Sequence, residues 1–206
     1  MKVAVIGGTG SFGTALAKRL AAAGYDVVIG SRDAERAHAT ALELGVEGAT
    51  NADAARAADL VVLATKADGA LETARELREA IGTTPVLSVA AELSFTPAGV
   101  LPTPEATSIA ARIQAELDAP VIAGLHSLAA SNLGGDEAPD EDTLVCGDDP
   151  EAKALVLELA GRVTNGRAID AGPLASARSL EGMTAVIVNV NKRYRAHAGL
   201  RITGVS

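Results

Sequence analysis

Gly8, Gly10 and Gly13 stand in the order G-x-G-x-x-G directly after the apolar run Val3-Ala4-Val5-Ile6. Glycines at that spacing have separate tasks. The first makes a tight turn, the second lets the backbone approach a pyrophosphate, and the third lets a helix pack closely on a strand. The segment that follows, Thr14-Ala15-Leu16-Ala17-Lys18-Arg19-Leu20-Ala21, is rich in helix formers, with apolar residues three and four apart. Free amides and the dipole at the start of such a helix favour negative charge. Glycine turns also occur without ligands, so the motif takes its weight from its setting between strand and helix, where it reads as a dinucleotide site.

Val27-Val28-Ile29-Gly30-Ser31-Arg32 reads as a second strand ending in a hydroxyl and a guanidinium, with Arg36 one helical turn beyond. NAD sites usually carry Asp or Glu at this strand end to hold the ribose 2′-hydroxyl, whereas a nearby Arg accommodates the 2′-phosphate of NADP. Ser31, Arg32 and Arg36 therefore favour NADP, because two guanidiniums match a phosphodianion. Asp33 offers the competing NAD reading, yet an Asp that opens a helix is equally explained as its N-terminal cap.

The elements that must position these residues follow from composition and alternation. With 206 residues, 48% of them apolar, the chain can bury a core and suits one α/β unit with a smaller appendage. Two Tyr, two Phe and no Trp leave that core to Val, Ile, Leu and Ala. The single Cys146 excludes an internal disulfide and leaves no thiolate cluster, so no metal site is expected. A net charge of −8 argues against nucleic acid as a partner. No leader pattern precedes Met1-Lys2-Val3 and no apolar run reaches membrane-spanning length, which predicts a cytoplasmic protein with no membrane partner.

Beyond the second strand the pattern predicts helix 34–44, strand 46–50, a helical piece 53–58, strand 60–65, helix 69–81, strand 85–89, helix 108–117 and strand 120–125. The unbroken apolar run at 60–65 is of the kind buried on both faces of a parallel sheet. The Pro-, Thr- and Ser-bearing stretch 94–107 reads as a loop over the top of the sheet. The alternation implies right-handed crossovers and a Rossmann-type, doubly wound, mostly parallel sheet. Ligands of such sheets lie beyond the carboxyl ends of the strands. Thr65-Lys66-Ala67, Ser88-Val89-Ala90 and Leu125-His126-Ser127 are therefore expected to line the crevice.

Residues 134–142 hold five acids among nine positions and read as a solvated loop. It marks the expected boundary between a dinucleotide-binding domain, 1–133, and a small C-terminal α/β lobe, 134–206. The lobe is expected to contain strand 143–146, helix 150–162, strand 167–170 and a last helix 174–195. No acidic residue follows Glu181, whereas Lys192, Arg193, Arg195 and Arg201 do. These cations either complement the dipole of the last helix or hold an anionic second substrate.

Four segments, in this order, resemble one family from end to end. They are Gly7-Gly8-Thr9-Gly10 with Gly30-Ser31-Arg32, Val145-Cys146-Gly147-Asp148-Asp149 with Ala152-Lys153, Asp170-Ala171-Gly172-Pro173-Leu174 with Ala177-Arg178, and Gly199-Leu200-Arg201-Ile202-Thr203-Gly204. The family is that of the NADPH-dependent coenzyme F420 reductases, also called F420H2:NADP oxidoreductases. The resemblance implies direct, reversible hydride transfer between nicotinamide C4 and deazaflavin C5 in a cleft between the lobes, with the cofactors supplying the reactive atoms. Carried over by position, Thr9, Gly10, Ser11 and Phe12 hold the pyrophosphate, and Ser31, Arg32 and Arg36 the 2′-phosphate. Ala67, Leu71, Leu93 and Ala130 shape the adenosine and nicotinamide pockets, and Ala198 and Gly199 meet F420. No catalytic acid, base or nucleophile is assigned. His126 is the candidate positioning residue, able to hydrogen-bond the nicotinamide amide or the deazaflavin carbonyl or to stabilise charge near N1, the alternative being a structural bond at the strand end. The resemblance also implies a homodimer, for which Ala185, Val186, Val188 and Val190 of the last helix are available.

Two segments depart from the family pattern. Thr65-Lys66-Ala67-Asp68 stands where an apolar-Pro-aromatic run is common, which predicts a more open nicotinamide pocket. Ala90-Ala91-Glu92-Leu93 is shorter and lacks the family's prolines, which bears on the acceptor. The competing function is an NADPH-dependent reductase of another small acceptor, an imine or a flavin.

Overall fold

Val3 and Val5 face one side of strand β1 (Lys2–Ile6), Ala4 and Ile6 face the other, and all four are fully buried. This is the two-residue period of a strand covered on both faces. The computed structural model describes residues 1–205. After β1 come α1 (Ser11–Ala22), β2 (Asp26–Ser31), α2 (Ala34–Leu44), β3 (Glu47–Thr50), α3 (Asn51–Arg56), β4 (Leu60–Leu63), α4 (Ala67–Ile81) and β5 (Val86–Ser88). A hairpin of β6 (Leu93–Thr96) and β7 (Gly99–Pro102) leads to α5 (Ile109–Gln114), β8 (Val121–Gly124) and α6 (Ala130–Leu133). The chain closes with β9 (Thr143–Gly147), α7 (Pro150–Val163), β10 (Ala168–Asp170), a 3-10 turn at Leu174–Ser176 and α8 (Ala177–Tyr194).

Eight strands form one sheet in the order β10-β9-β8-β5-β4-β1-β2-β3. All neighbours are parallel except β8 and β9, so this is the expected doubly wound, mostly parallel architecture. The chain steps outward from β1 to β3, then returns to the other side of β1 at β4. That reversal opens a crevice at the carboxyl ends of the strands. Helices α1, α2 and α7 cover the face carrying Val3, Val5, Val62 and Ile122. Helices α3, α4, α5 and α8 cover the face carrying Ile6, Val61, Leu63 and Val121. Asp33 caps α2 by accepting from Arg36 N at 3.2 Å, and Gly45, at φ 67°, ends that helix.

The stretch 94–107 is not the plain loop its composition predicts. It contains most of the β6–β7 hairpin, which lies off the main sheet and packs on α8. Asn189 fastens the hairpin by accepting from Val100 N at 2.8 Å and donating to Val100 O at 2.7 Å. Val100 alone is buried in these two short strands, whereas Phe95 and Leu101 face solvent, so there was no hydrophobic alternation to read.

Residues 134–142 also differ from the expected solvated loop. Asp136, Glu137 and Asp140 are exposed, but Glu141 and Asp142 are buried. The boundary drawn at 133/134 does not interrupt the sheet: β9, α7 and β10 form a β-α-β unit that continues it through β8. Asp142 anchors this edge. Its carboxylate accepts from Arg167 N at 2.9 Å, Arg167 Nη2 at 2.7 Å and Ile202 N at 2.8 Å, while its own N–H donates to Leu200 O at 2.7 Å. Arg167 also donates to the carbonyls of Ile202 and Val205. The charge is tolerated inside because donors surround it.

The Arg167 guanidinium, helped by the Ile202 and Arg167 amides, holds the Asp142 carboxyl well below the usual aspartate range. A carboxyl depressed in the folded state contributes stability above its unfolded value near 3.8 and loses it as pH falls through the lower folded value. Asp142→Asn should therefore lower Tm at pH 7 by about 5 °C or more and flatten the loss of stability below about pH 4. Circular dichroism melts across pH 3–7 test this, and melting curves that superimpose on the wild type would remove Asp142 as the anchor.

Candidate functional site

The glycine turn leaves no space for side chains. A Cβ on Gly8 would lie 2.7 Å from Val5 O and 2.8 Å from Ile29 Cγ2, and one on Gly13 would lie 2.6 Å from Gly7 O. Gly7 turns with φ 76°, and the N–H groups of Gly7 and Gly8 both donate to Gly30 O at 3.2 Å, so the turn is fastened to the end of β2. Thr14 Oγ1 closes it by donating to Gly8 O at 2.8 Å. Gly10 is the N-cap residue of α1 and supplies no side-chain acceptor. The first-turn amides of α1 therefore have neither an intrahelical partner nor a side-chain cap. That arrangement suits a pyrophosphate.

Gly10, Ser11 and Phe12 form one wall of a cleft of about 720 Å³, a size suited to small-molecule ligands. The ends of β4, β5 and β8 supply the other walls through Ala64–Asp68, Val89–Leu93, Leu125, His126 and Leu128. Phe95 of the hairpin and Thr184 of α8 complete it. Thr65 Oγ1 is buried without a protein partner at this surface, a polar atom suited to a polar ligand.

Of the residues expected at the pyrophosphate, Gly10, Ser11 and Phe12 line the cleft, and Thr9 sits half-buried in the turn behind them. Ser31 is buried and accepts from Asp33 N at 3.2 Å. Arg32, just past β2, and Arg36, in the first turn of α2, are exposed, and neither has an acidic partner among the described residues. Asp33 serves as the cap of α2. Ala67 and Leu93 line the cleft, but Leu71 packs one turn deeper against the core. Ala130 opens α6 outside the lining. Ala198 N donates to Asn191 Oδ1 at 2.6 Å, and Gly199 lies so close to the Glu141 carboxylate that a Cβ would overlap it. Both tail residues lie off the cleft wall.

Two of the expected crevice triplets are only partly present. Val89 and Ala90 line the cleft, with Ser88 fully buried beneath, and Ser127 turns inward to donate to Asp142 O at 3.2 Å. Sequence reasoning missed Leu128, Phe95 and Thr184, whose places depend on the hairpin and on α8. His126 Nε2 lies 3.1 Å from Ala90 O, and burial pushes the ring down to about 4, so it is neutral at pH 7 and brings no positive charge to the cleft. Glu92 is held by Arg112 at 2.7 Å and Thr103 Oγ1 at 3.1 Å, and Arg112 keeps its carboxyl below the usual range. Burial pushes the Cys146 thiol up to about 11, which leaves it protonated and outside nucleophilic chemistry.

Residues 2–92 match the family model described as NADP oxidoreductase, coenzyme F420-dependent. Over the whole chain the sequence is 37% identical to the F420-dependent NADP reductase of Methanothermobacter thermautotrophicus, of which it covers 96%. It is 34% identical, again over the whole chain, to the protein of that name from Methanocaldococcus jannaschii, covering 99%. A crystal structure from Arthrobacter sp. FB24, described as a candidate F420-dependent NADP reductase, matches with a TM-score of 0.87 at 28% identity, over 98% of this chain and 99% of that one.

Proposed function

The chain belongs to the family of F420-dependent NADP reductases, and from that membership we propose that it transfers a hydride reversibly between NADP(H) and coenzyme F420: NADPH, H⁺ and F420 give NADP⁺ and F420H2. The observation that carries the reading is one continuous cleft, running from the uncapped amides of α1 to Thr184 of α8. When bound, the two cofactors supply the carbon that gives the hydride and the carbon that takes it.

The chain's own contribution is to bind, orient and exclude water. Gly10, Ser11 and Phe12 receive the pyrophosphate on the turn that Thr9 helps to shape. Ser31, Arg32 and Arg36 take the 2′-phosphate, which is supported by two guanidiniums free of acidic partners among the described residues. Ala67 and Leu93, with Val89, Leu125 and Leu128, give apolar walls against which planar rings can stack. Leu71 packs against the same core as Ala67, and α6, starting at Ala130, follows the wall residue Leu128. Ala198 and Gly199 are assigned to F420 on the resemblance alone. Holding two rings in register lowers the barrier without an acid or a base.

A homodimer is part of the same reading. Of the four residues named for it, Ala185 is buried and Val188 half-buried, but Val186 and Val190 are exposed. With Tyr194 they make an apolar stripe at i, i+4 and i+8 along α8, exposed by 60%, 37% and 71%.

Purified protein should bleach the visible absorbance of F420 with NADPH. Turnover with an imine or a flavin but none with F420 would give the competing function instead. Arg32→Ala should raise the KM for NADPH by about ten- to hundredfold and leave that for NADH nearly unchanged, as expected for losing one charge-assisted phosphate contact. An unaltered NADPH-to-NADH preference would remove Arg32 from the 2′-phosphate site. Val186→Glu combined with Val190→Glu should turn a dimer into a monomer in sedimentation, and an unshifted dimer would place the interface elsewhere.

A further inference from the structure

We propose that His126 is a positioning residue which, as the neutral Nε2–H tautomer, pins segment 90–93 across the cleft and so fixes the separation of the walls formed by β5, β8 and α8. The inference rests on the proposed function only for its kinetic readout. A carbonyl oxygen can only accept, so the 3.1 Å approach of His126 Nε2 to Ala90 O places the proton on Nε2. Nδ1 is then a bare acceptor, and it is buried without a partner. Adding a second proton would bury an unpaired N–H⁺.

The backbone is built to aim the ring. Leu125 adopts φ 63°, a left-handed conformation that costs a non-glycine residue free energy and persists where surroundings impose it. Here Leu128 N donates to Leu125 O at 3.1 Å, and Thr184 Oγ1 donates to His126 O at 2.9 Å. His126 therefore touches the exit of β5 through its ring and α8 through its carbonyl, while its own strand supplies the turn. The pinned segment, Ala90-Ala91-Glu92-Leu93, has no proline to restrict its backbone and lines the cleft with all four residues. Arg112, Thr103 and strand β6 hold its Glu92–Leu93 end, and the His126 ring is the tether at its Ala90 end.

Glutamine can present an amide N–H near the ε position of histidine, whereas asparagine carries its nitrogen nearer the δ position. His126→Asn and His126→Ala should raise the KM for F420 about tenfold and lower kcat by a similar factor, and His126→Gln should recover most of both losses. Hydrogen exchange at amides 91–93 should quicken in the Asn variant and return toward wild type in the Gln variant. In the wild-type protein without acceptor, ¹⁵N NMR should find Nε2 protonated and Nδ1 bare. A protonated Nδ1, or exchange in the Asn variant equal to wild type, or a Gln variant as fast as the Asn variant, would overturn the assignment. Absence of F420 turnover in the wild type would sink the proposed function instead, while the tautomer and exchange results would still decide the role of His126.

Discussion

The close approach of α1 to the ends of β1 and β2 is the constraint on which the rest depends. Gly8 and Gly13 permit it, since at both positions a Cβ would collide with backbone less than 2.8 Å away. The approach points uncapped amides into the crevice and sets the angle at which α1 leaves the sheet. About two turns along that helix, buried Arg19 donates to the carbonyls of Leu133, Gly135 and Glu137 at 2.7 to 3.2 Å. The chain after α6 is thereby held against the helix whose uncapped amides open on the cleft. That same stretch leads into Glu141 and Asp142, which receive the C-terminal tail. A turn at the beginning of the chain is thus mechanically linked to its end.

With so few aromatic side chains, the core consists of Val, Ile, Leu and Ala on two sheet faces, and the irregular pieces are held mainly by polar anchors. The anchors divide by donor supply. Asp142 collects a guanidinium and two amides, which drive its carboxyl below the usual range. Glu181, equally removed from solvent, accepts from Ile109 N at 2.8 Å and Ala110 N at 3.4 Å, with Arg178 3.9 Å away, and burial pushes it up to about 7. Burial alone therefore does not set the sign of the shift; the number and charge of the donors decide it.

The strands nearest the dinucleotide were legible because their signals are local. β1, β2 and β4 are apolar on both faces, the glycine spacing marks the turn, and Asp33 followed by a helix-forming run reads as the cap that it is. Nonlocal partners governed the misses. Asp142 looks like one more acid in a charged loop until Arg167 and Ile202, far along the chain, supply its donors, and its neighbour Glu141 accepts from Asn132. The hairpin escaped notice because Phe95 and Leu101 face outward and only Val100 is buried. Thr184 sits in an ordinary helical sequence, and only the packing of α8 brings it to the cleft. Leu71, half-buried one turn into α4 from the wall residue Ala67, packs against the core, a placement its helical sequence alone does not give.

The ionisable groups around the cleft explain why positioning is the mechanism it can support. Glu92 is already paired with Arg112, His126 is neutral and tethered, and the Cys146 thiol is protonated on the buried side of β9. Lys66 and Asp68 are exposed at the start of α4, where solvent screens them. The H⁺ taken up when NADPH reduces F420 then reaches the cleft from solvent or by way of exposed Lys66 and Asp68, not from a paired or tethered group of the walls. The hydride step itself, between two carbons, needs no acid or base on the walls and depends steeply on the distance and orientation of the two rings. The arrangement that serves it is a set of apolar walls whose spacing is fixed from outside. In this chain that spacing is held by the glycine turn on one side and the strained Leu125–His126 turn on the other.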